Sequence, residues 1–547
     1  MQLWDELAGT AETSFPSFEF VRHLSALEPI LPDALVDELG LENAIKDGDL
    51  RALSSEAGKK IQDWWRGNDP FPATPLNERM IEHLRRFEFA FDHFVRTDDA
   101  NRLDDRGRIY MRYGRPTDAY PNFGMEKRFS GTAYWVYSRF HENADFFFLY
   151  RQGDGYVLGT PADVLSRDFG GPGLAGLGPT ERGQSKAEDV MGILENVYGE
   201  LAHLRSRHGI ILSDLRMQSA PIPLHSYALK VVNDIEATER QAAERREETV
   251  PRQRTHVGDE LRSIPIALRP IRRLNPEGET TVDVYWSAAA RDLQPLDAMR
   301  RQLRSSGKQP SSSMLLAWTV IQEATNFEQQ QRHEGRMLVR NRGGGDAKLP
   351  TQHLSFSLDE QTSQLAVQLD AYWTEMLKEA NRVRPTAKVS SGVVRVDSLA
   401  SLTANPGRLE ISDLLPRTWT EGVPITEAAA YPFQAITPST NLAVEFDIYH
   451  LTYNENDQTD YTVEYRVRRS IERSGLGGLF RGDSESETVV ETQTTSASRT
   501  SNEFVDLDLG DWKTDKPQDV TITVTVTDNV SRQTATRSLE FRMLPPR

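Results

Sequence analysis

Cysteine is absent from all 547 residues, which excludes disulfide frameworks, thiolate metal sites and cysteine nucleophiles together. Long apolar runs are missing as well, and none approaches the roughly 20 residues that cross a bilayer as a helix. The opening Met1-Gln2-Leu3-Trp4-Asp5-Glu6 has neither a basic n-region nor an apolar h-region. No export signal is therefore expected in this chain, and an exported or periplasmic location stays open if translation starts further upstream. Positive charge is the minority, with 64 Lys and Arg against 81 Asp and Glu and a net charge of −17. Such a field repels a phosphate backbone, so nucleic acid is not an expected partner.

What is present is enough apolar sequence for several cores: 38% apolar and 27% charged residues predict folded domains joined by polar connections. At about 150 residues per domain, three or four units are expected. Residues 1–68 read as a helical lead-in, with Phe20, Val21, Leu24 and Leu27 on one helical face and Leu35, Val36, Leu39 and Leu41 on another. The punctuation from Asn68 to Pro75 predicts a boundary near 69 and a helix start in which Thr74 caps and Pro75 takes the first position. Met80, Leu84, Phe87, Phe91 and Phe94 form a stripe expected to bury against a sheet.

Ile109, Met111 and Tyr113 alternate with Arg108, Tyr110 and Arg112, which predicts a strand ended by the turn Gly114-Arg115-Pro116. Antiparallel strands are expected at Tyr134–Tyr137 and Phe146–Tyr150, with Gly153-Asp154-Gly155 turning into Tyr156-Val157-Leu158. Ser185 to Glu188 reads as a capping box before a helix carrying Val190, Leu194, Val197, Leu201 and Leu204. These elements make an α/β domain over 69–215, followed by a charged helical linker over 216–262 whose stretch Glu236–Glu248 suits a solvated helix.

Alternation at Val282, Val284, Trp286 and at Leu365, Val367, Leu369 marks a first β-sandwich-like region, 263–430, with shorter strand candidates at Val393–Val396 and Leu409–Ile411 that either complete it or bridge to the next. A second, 431–547, carries Leu442 to Ile448, Tyr461 to Val467, Ile522 to Val526 and Leu539 to Met543, a spacing that suits an immunoglobulin-like sandwich. Asp483–Ser501, rich in Ser and Thr, reads as a long loop or flexible hairpin within it. The predicted fold class is multi-domain α+β: helical lead-in, small domain with a mainly antiparallel sheet, helical linker and two immunoglobulin-like units.

Templates for chemistry fail one by one. Gly171-Pro172-Gly173-Leu174-Ala175-Gly176 matches G-x-G-x-x-G in letters, but Pro172 interrupts it and no strand–turn–helix surrounds it. His203 and His208 lie near a helix end without further metal ligands, and His141-Glu142 lacks the second histidine of a zinc-protease motif. Glu244–Glu248 is interleaved with Arg245 and Arg246, as on a solvated helix face. The aromatic concentration Tyr134, Trp135, Tyr137, Phe146, Phe147, Phe148 and Tyr150 suits a carbohydrate or peptide groove, but continuous runs of this kind more often form core.

The run from Asp69 through Asn77-Glu78, the Phe-rich helix, and Asp105-Arg106-Gly107-Arg108-Ile109-Tyr110-Met111-Arg112-Tyr113-Gly114-Arg115-Pro116 together resemble the GWxTD-domain family of bacterial proteins. The resemblance is most specific over roughly 60–160, and Thr281–Trp286, Leu409–Leu414 and Leu442–Leu451 look like that family's β segments. The signature itself stands here as Asn101-Arg102-Leu103-Asp104-Asp105, of which Asp105 alone agrees. Gly510-Asp511-Trp512-Lys513-Thr514-Asp515 lacks the continuation and is a coincidental match.

The candidate cluster is Asp105, Arg106, Arg108, Tyr110, Arg112, Arg115 and Asp118. Several arginines on one face could hold an anion. The simpler reading is that Asp105 caps or orients the turn while the arginines pair with neighbouring carboxylates. No catalytic, cofactor or metal residue is assigned. The expected function is a non-catalytic interaction or scaffold protein with a protein partner. A ligand-binding or hydrolytic module using Asp105, Arg108, Arg112 and Asp118, and an exported envelope-associated structural protein, are the alternatives.

Overall fold

A computed structural model describes residues 17–48, 52–121, 131–164, 201–217, 224–306, 313–340, 348–358, 364–377, 382–397, 399–402, 405, 407–418, 424, 427–438, 440–470, 486–507 and 516–545. It is mixed α+β, with several antiparallel sheets. The chain divides into two compact units: Met1–Asp69 with Leu76–Val257, and Pro70–Pro75 with Gly258–Arg547.

The first unit opens with helices α1 (Ser17–Leu27), α2 (Asp33–Leu39), α3 (Leu41–Asp47) and α4 (Ala57–Gly67). Phe20, Leu24 and Leu27 are fully buried, as their spacing requires. The apolar pattern from Leu35 to Leu41 makes two helices rather than one, because Gly40 turns the chain at φ 70°. A Cβ at Gly40 would stand 2.6 Å from the Ala52 carbonyl oxygen, so only glycine fits that turn.

Helix α5 (Glu78–His93) starts later than the Thr74-Pro75 signal suggested. Asn77 is the cap, its side chain accepting from the Met80 amide at 2.9 Å. Thr74 instead donates its hydroxyl to the Phe71 carbonyl at 3.0 Å, closing a turn. The α5 stripe packs mainly on helices, not on a sheet. Met80 and Phe91 share a core with α1–α4, Leu84 is 46% exposed, and Phe94 alone of the stripe reaches a strand residue, Trp135.

The segment expected to be a strand at Arg108–Pro116 is helix α6 (Asp105–Tyr113), followed by Gly114 at φ 72°. Burial along it does alternate, for a reason other than a pleat. Ile109 and Tyr113, four residues apart, enter a core with Trp135, Phe146 and Phe148, whereas Met111 enters the helical core on the other side. A helix buried on two sides reproduces the period of a strand.

Strands β1 (Asp118–Pro121), β2 (Thr132–Val136), β3 (Asp145–Arg151) and β4 (Gly155–Leu158) form an antiparallel sheet in that order. Its central strands are covered on both faces, which is why their sequences are continuously apolar. Ala133, Trp135, Phe146 and Phe148 face the core that holds α6. Tyr134, Val136, Phe147 and Leu149 face α7 (Ala202–Arg207), α8 (Gly209–Met217) and α9 (Leu224–Thr249). Helix α9 contains Glu236–Glu248, expected to be a solvated helix or linker; most of that stretch is exposed, while Glu239 within it and Val231, Val232 and Ile235 before it are buried. The Gly171–Gly176 loop, the Ser185 capping box with Val190, Leu194 and Val197, and Gly510–Asp515 lie outside the described residues.

The second unit begins with β5 (Arg262–Ser263), β6 (Ala267–Leu274), β7 (Thr280–Ser287), α10 (Asp297–Ser305), β8 (Ser313–Glu323), β9 (Gln329–Arg340), β10 (Gln352–Ser357), β11 (Gln364–Leu377) and β12 (Arg382–Val396). They build sheets of order β10-β7-β6 and β5-β12-β11-β8-β9. Val282, Val284 and Trp286 from one and Leu365, Val367 and Leu369 from the other share a single core.

Among the described residues ten strands follow: β13 (Glu410–Ile411), β14 (Leu415–Thr418), β15 (Ala429–Ala430), β16 (Ala435–Ile436), β17 (Leu442–Tyr449), β18 (Thr459–Ser470), β19 (Ser486–Ser496), β20 (Ser501–Leu507), β21 (Gln518–Asp528) and β22 (Thr534–Met543). One sheet joins β13, β14 and β20 to β17, with β15 beyond β14, and the other runs β16-β22-β21-β18-β19. Phe446 and Ile448 from the first meet Val463, Ile522 and Phe541 from the second in one core. Strands β13 to β15 precede residue 431 but pair into this C-terminal sheet, an association that only cross-strand bonding reveals. Much of the Ser/Thr-rich stretch, expected to be a long loop or flexible hairpin, is β19, paired antiparallel with β18 from Thr459↔Ser496 to Arg469↔Ser486.

Candidate functional site

Asp104 starts α6 and organises its N-terminus. It is buried, accepts from the Gly107 amide at 3.0 Å through Oδ1, and holds Arg106 Nη2 at 2.8 Å through Oδ2. Burial raises its pKa, and Arg106 with the Gly107 and Tyr156 amides opposes that rise. Gly107 is required where the helix meets its neighbours, since a Cβ there would lie 2.8 Å from the Phe94 carbonyl oxygen and 2.9 Å from Leu103 Cβ.

The seven candidate residues divide among several partners. Asp105 accepts from the Leu158 amide of β4 at 2.7 Å, and Arg106 lies 3.6 Å over the Tyr156 ring. Arg108 reaches back to the buried Glu28 at 2.9 Å, and Arg112 Nε donates to the Pro29 carbonyl at 3.0 Å. Burial lowers the Arg112 pKa. Tyr110 stacks on Phe89 at 4.8 Å between centroids, with Phe94 at 5.6 Å. Arg115 and Asp118 are exposed beyond Gly114. Thus Asp105 with Arg106 is directed to β4, and Arg108 with Arg112 to the turn before α2.

A second polar cluster, which sequence patterns did not single out, lies between β3, α7 and α9. Arg207 Nη2 stands 2.6 Å from both Asp145 oxygens, and its Nη1 is 3.0 Å from both Glu239 oxygens. Tyr134 donates to Asp145 at 2.7 Å, and His208 Nε2 lies 3.0 Å from Glu239. Burial pulls the Arg207 pKa down, but Asp145 and Glu239 outweigh it and hold it above its usual value. Burial pushes Glu239 up, and His208 and Arg207 bring it below the ordinary carboxylate range. Tyr134 is raised by burial and by the Asp145 charge.

A cleft of about 600 Å³ opens beside this cluster, lined by Arg207, Arg245, Asp214, Asp234, Ile210 and Gln241 among others. Carboxylates and guanidinium groups occur together on its wall, so it favours neither sign of ligand. Both Nη atoms of Arg207 are committed to carboxylates, which suits holding α7 and α9 on β3. The signal available in the sequence was the spacing Val231, Val232, Ile235, Glu239, which puts a glutamate on the buried face of its helix. Its partner Arg207 comes from 32 residues earlier and in turn holds Asp145, and no local pattern links the three.

Among the described residues, no group of three or more His, Asp or Glu is arranged to hold a metal, and no helix is long and apolar enough to cross a membrane. Compared with known protein families and with curated proteins, the chain matches no family model and no curated sequence.

Proposed function

We propose that the chain is a non-catalytic interaction or scaffold protein, similar to GWxTD-domain proteins over its first unit and built of immunoglobulin-like sandwiches in its second. The observation that carries this reading is the edge strand β19. It pairs with β18 on one side, and among the described residues no strand pairs with its other side. Val489 and Val490, at its middle, are 49% and 36% exposed. Such an edge offers unpaired backbone groups and alternating side-chain positions to an added strand. Strand β9 is also an edge, but Arg332, Glu334, Arg336 and Arg340 guard it with charge.

The test uses the full chain as bait in native cells beside a variant carrying Val489→Lys and Val490→Lys. Recovery of one stoichiometric partner by the parent chain and its loss with the variant are expected. Equal recovery by both, or turnover of a small anionic substrate by the purified chain without a partner, overturns the reading.

A further inference from the structure

The segment Pro70–Pro75 belongs to the second unit and covers a sheet face that points away from that unit's core. Alternation on β11 sends Leu365, Val367 and Leu369 into the core and leaves Ala366, Gln368 and Asp370 on the opposite side. Yet Gln368 is 1% exposed, and Ala366 and its cross-strand neighbour Ile321 on β8 are buried too.

The cover is a β-turn. The Phe71 carbonyl accepts from the Thr74 amide at 2.9 Å, with Pro72 second in the turn, where its fixed φ is favourable. Ala73, the third residue, packs on Ile321 and Ala366. Its N–H donates to Gln368 Oε1 at 3.0 Å, and its carbonyl accepts from Arg332 Nη2 at 2.7 Å. Gln368 is itself oriented, donating Nε2 to Asp370 at 2.8 Å, while Ser391 Oγ donates to Asp370 at 2.5 Å. Lys388 lies 3.1 Å from Asp370 and 4.5 Å over the Phe71 ring.

Both backbone polar groups of one residue are read, its methyl group is buried against Ile321 and Ala366, and a cation faces the aromatic ring two positions earlier. We propose that this face of β8, β9, β11 and β12 is a recognition site for a β-turn of the pattern aromatic–Pro–small–Thr, filled in cis by Phe71–Thr74 and taken in trans by a partner protein presenting the same turn. The proposal rests on the interaction reading above and adds the partner's chemistry. A tethered occupant competes with a free one, so the apparent affinity for a partner falls with the fraction of time the site is open. A large side chain at the third position is expected to disfavour seating, because Ala73 is buried against Ile321 and Ala366.

The experiment measures binding of a labelled peptide of residues 68–77 to the full chain by fluorescence anisotropy. Ala73→Arg cannot seat its own turn, and binding at least about tenfold tighter than to the parent chain is expected. Gln368→Ala in that background, or Arg in place of Ala at the third turn position of the peptide, removes the gain. Pro72→Gly loosens the turn without adding bulk and replaces Ala73→Arg should that variant fail to melt cooperatively. If folded variants bind the peptide no better than the parent, the proposal is overturned. In that case partner capture through β19 still stands or falls separately. Self-association of the parent chain that the peptide reverses assigns the site to a second copy and overturns the separate-partner reading.

Discussion

Helix α6 and strand β21 carry the same alternation of apolar and polar residues and fold differently. On β21, Val520, Ile522, Val524 and Val526 point to one face because successive side chains of a strand alternate, and all four enter one core. On α6, Ile109 and Met111 are both buried because the helix lies between two cores, so their separation by two residues places them on different sides. A period of two therefore reports burial on alternate residues, not backbone conformation. Cap chemistry separates the cases: Asp104 three residues before Gly107 and Gly114 at the end are helix signals, whereas the Val- and Thr-rich β21 carries strand propensity.

Substitutions can break this comparison at either end. The largest effect is expected from Phe446→Ala in the C-terminal core, about 3–5 kcal/mol by chemical denaturation. Ile109→Ala and Met111→Ala should each cost about 2–5 kcal/mol, since each leaves a cavity in a different core. In a strand, residues two apart share a face and it is the residue between them, on the wet face, that costs little. Thr525→Ala, beside Val524 on β21, is expected to remain within about 0.5–1 kcal/mol. If Met111→Ala were as mild as that, the two-sided burial of α6 would be refuted.

Asp104→Ala removes a cap and leaves Arg106 without its carboxylate, and a loss of about 3 kcal/mol is expected. Arg115→Ala should change stability by less than about 0.5 kcal/mol, because that side chain is exposed. A loss from Arg115 comparable to that from Asp104 would return the outer end of α6 to consideration as a site.

Acid should weaken the first unit. His83 is fully buried with both ring nitrogens unpartnered among the described residues, and burial, then His23, Arg86 and Arg79, lowers its pKa to about 3. His23, stacked on Phe87, is lowered to about 4 by burial and Arg22. Both groups bind protons more readily unfolded, so their contribution is complete above about pH 6.5 and declines as pH falls toward 4 and then 3. Each pKa unit is worth about 1.4 kcal/mol. The first unit's melting transition should fall over that window, and His83→Phe should flatten the slope. An unchanged slope in that variant would rule out His83 as its source.

The strands of the C-terminal unit were legible because their alternation, Val and Thr content and polar turns agree. Tyr134 to Tyr137 and Phe146 to Tyr150 were legible because continuous apolar runs fit a sheet covered twice. The Asp145–Arg207–Glu239 cluster was not, since its members come from three distant elements and each resembles an ordinary surface charge in its local context. The stretch Glu236–Glu248 was legible as a helix and most of it is exposed, but Glu239, the buried carboxylate within it, was hidden among its many charges.

By itself the sequence determined the absence of thiol chemistry, the acidic field and the strands whose local preferences all concur. The tertiary structure decided that Arg108–Pro116 begins as helix, that β13 to β15 join the C-terminal sheet, and that Phe71–Thr74 is a seated turn. In each of these, local patterns satisfied more than one conformation, and the choice came from which distant surface lay opposite.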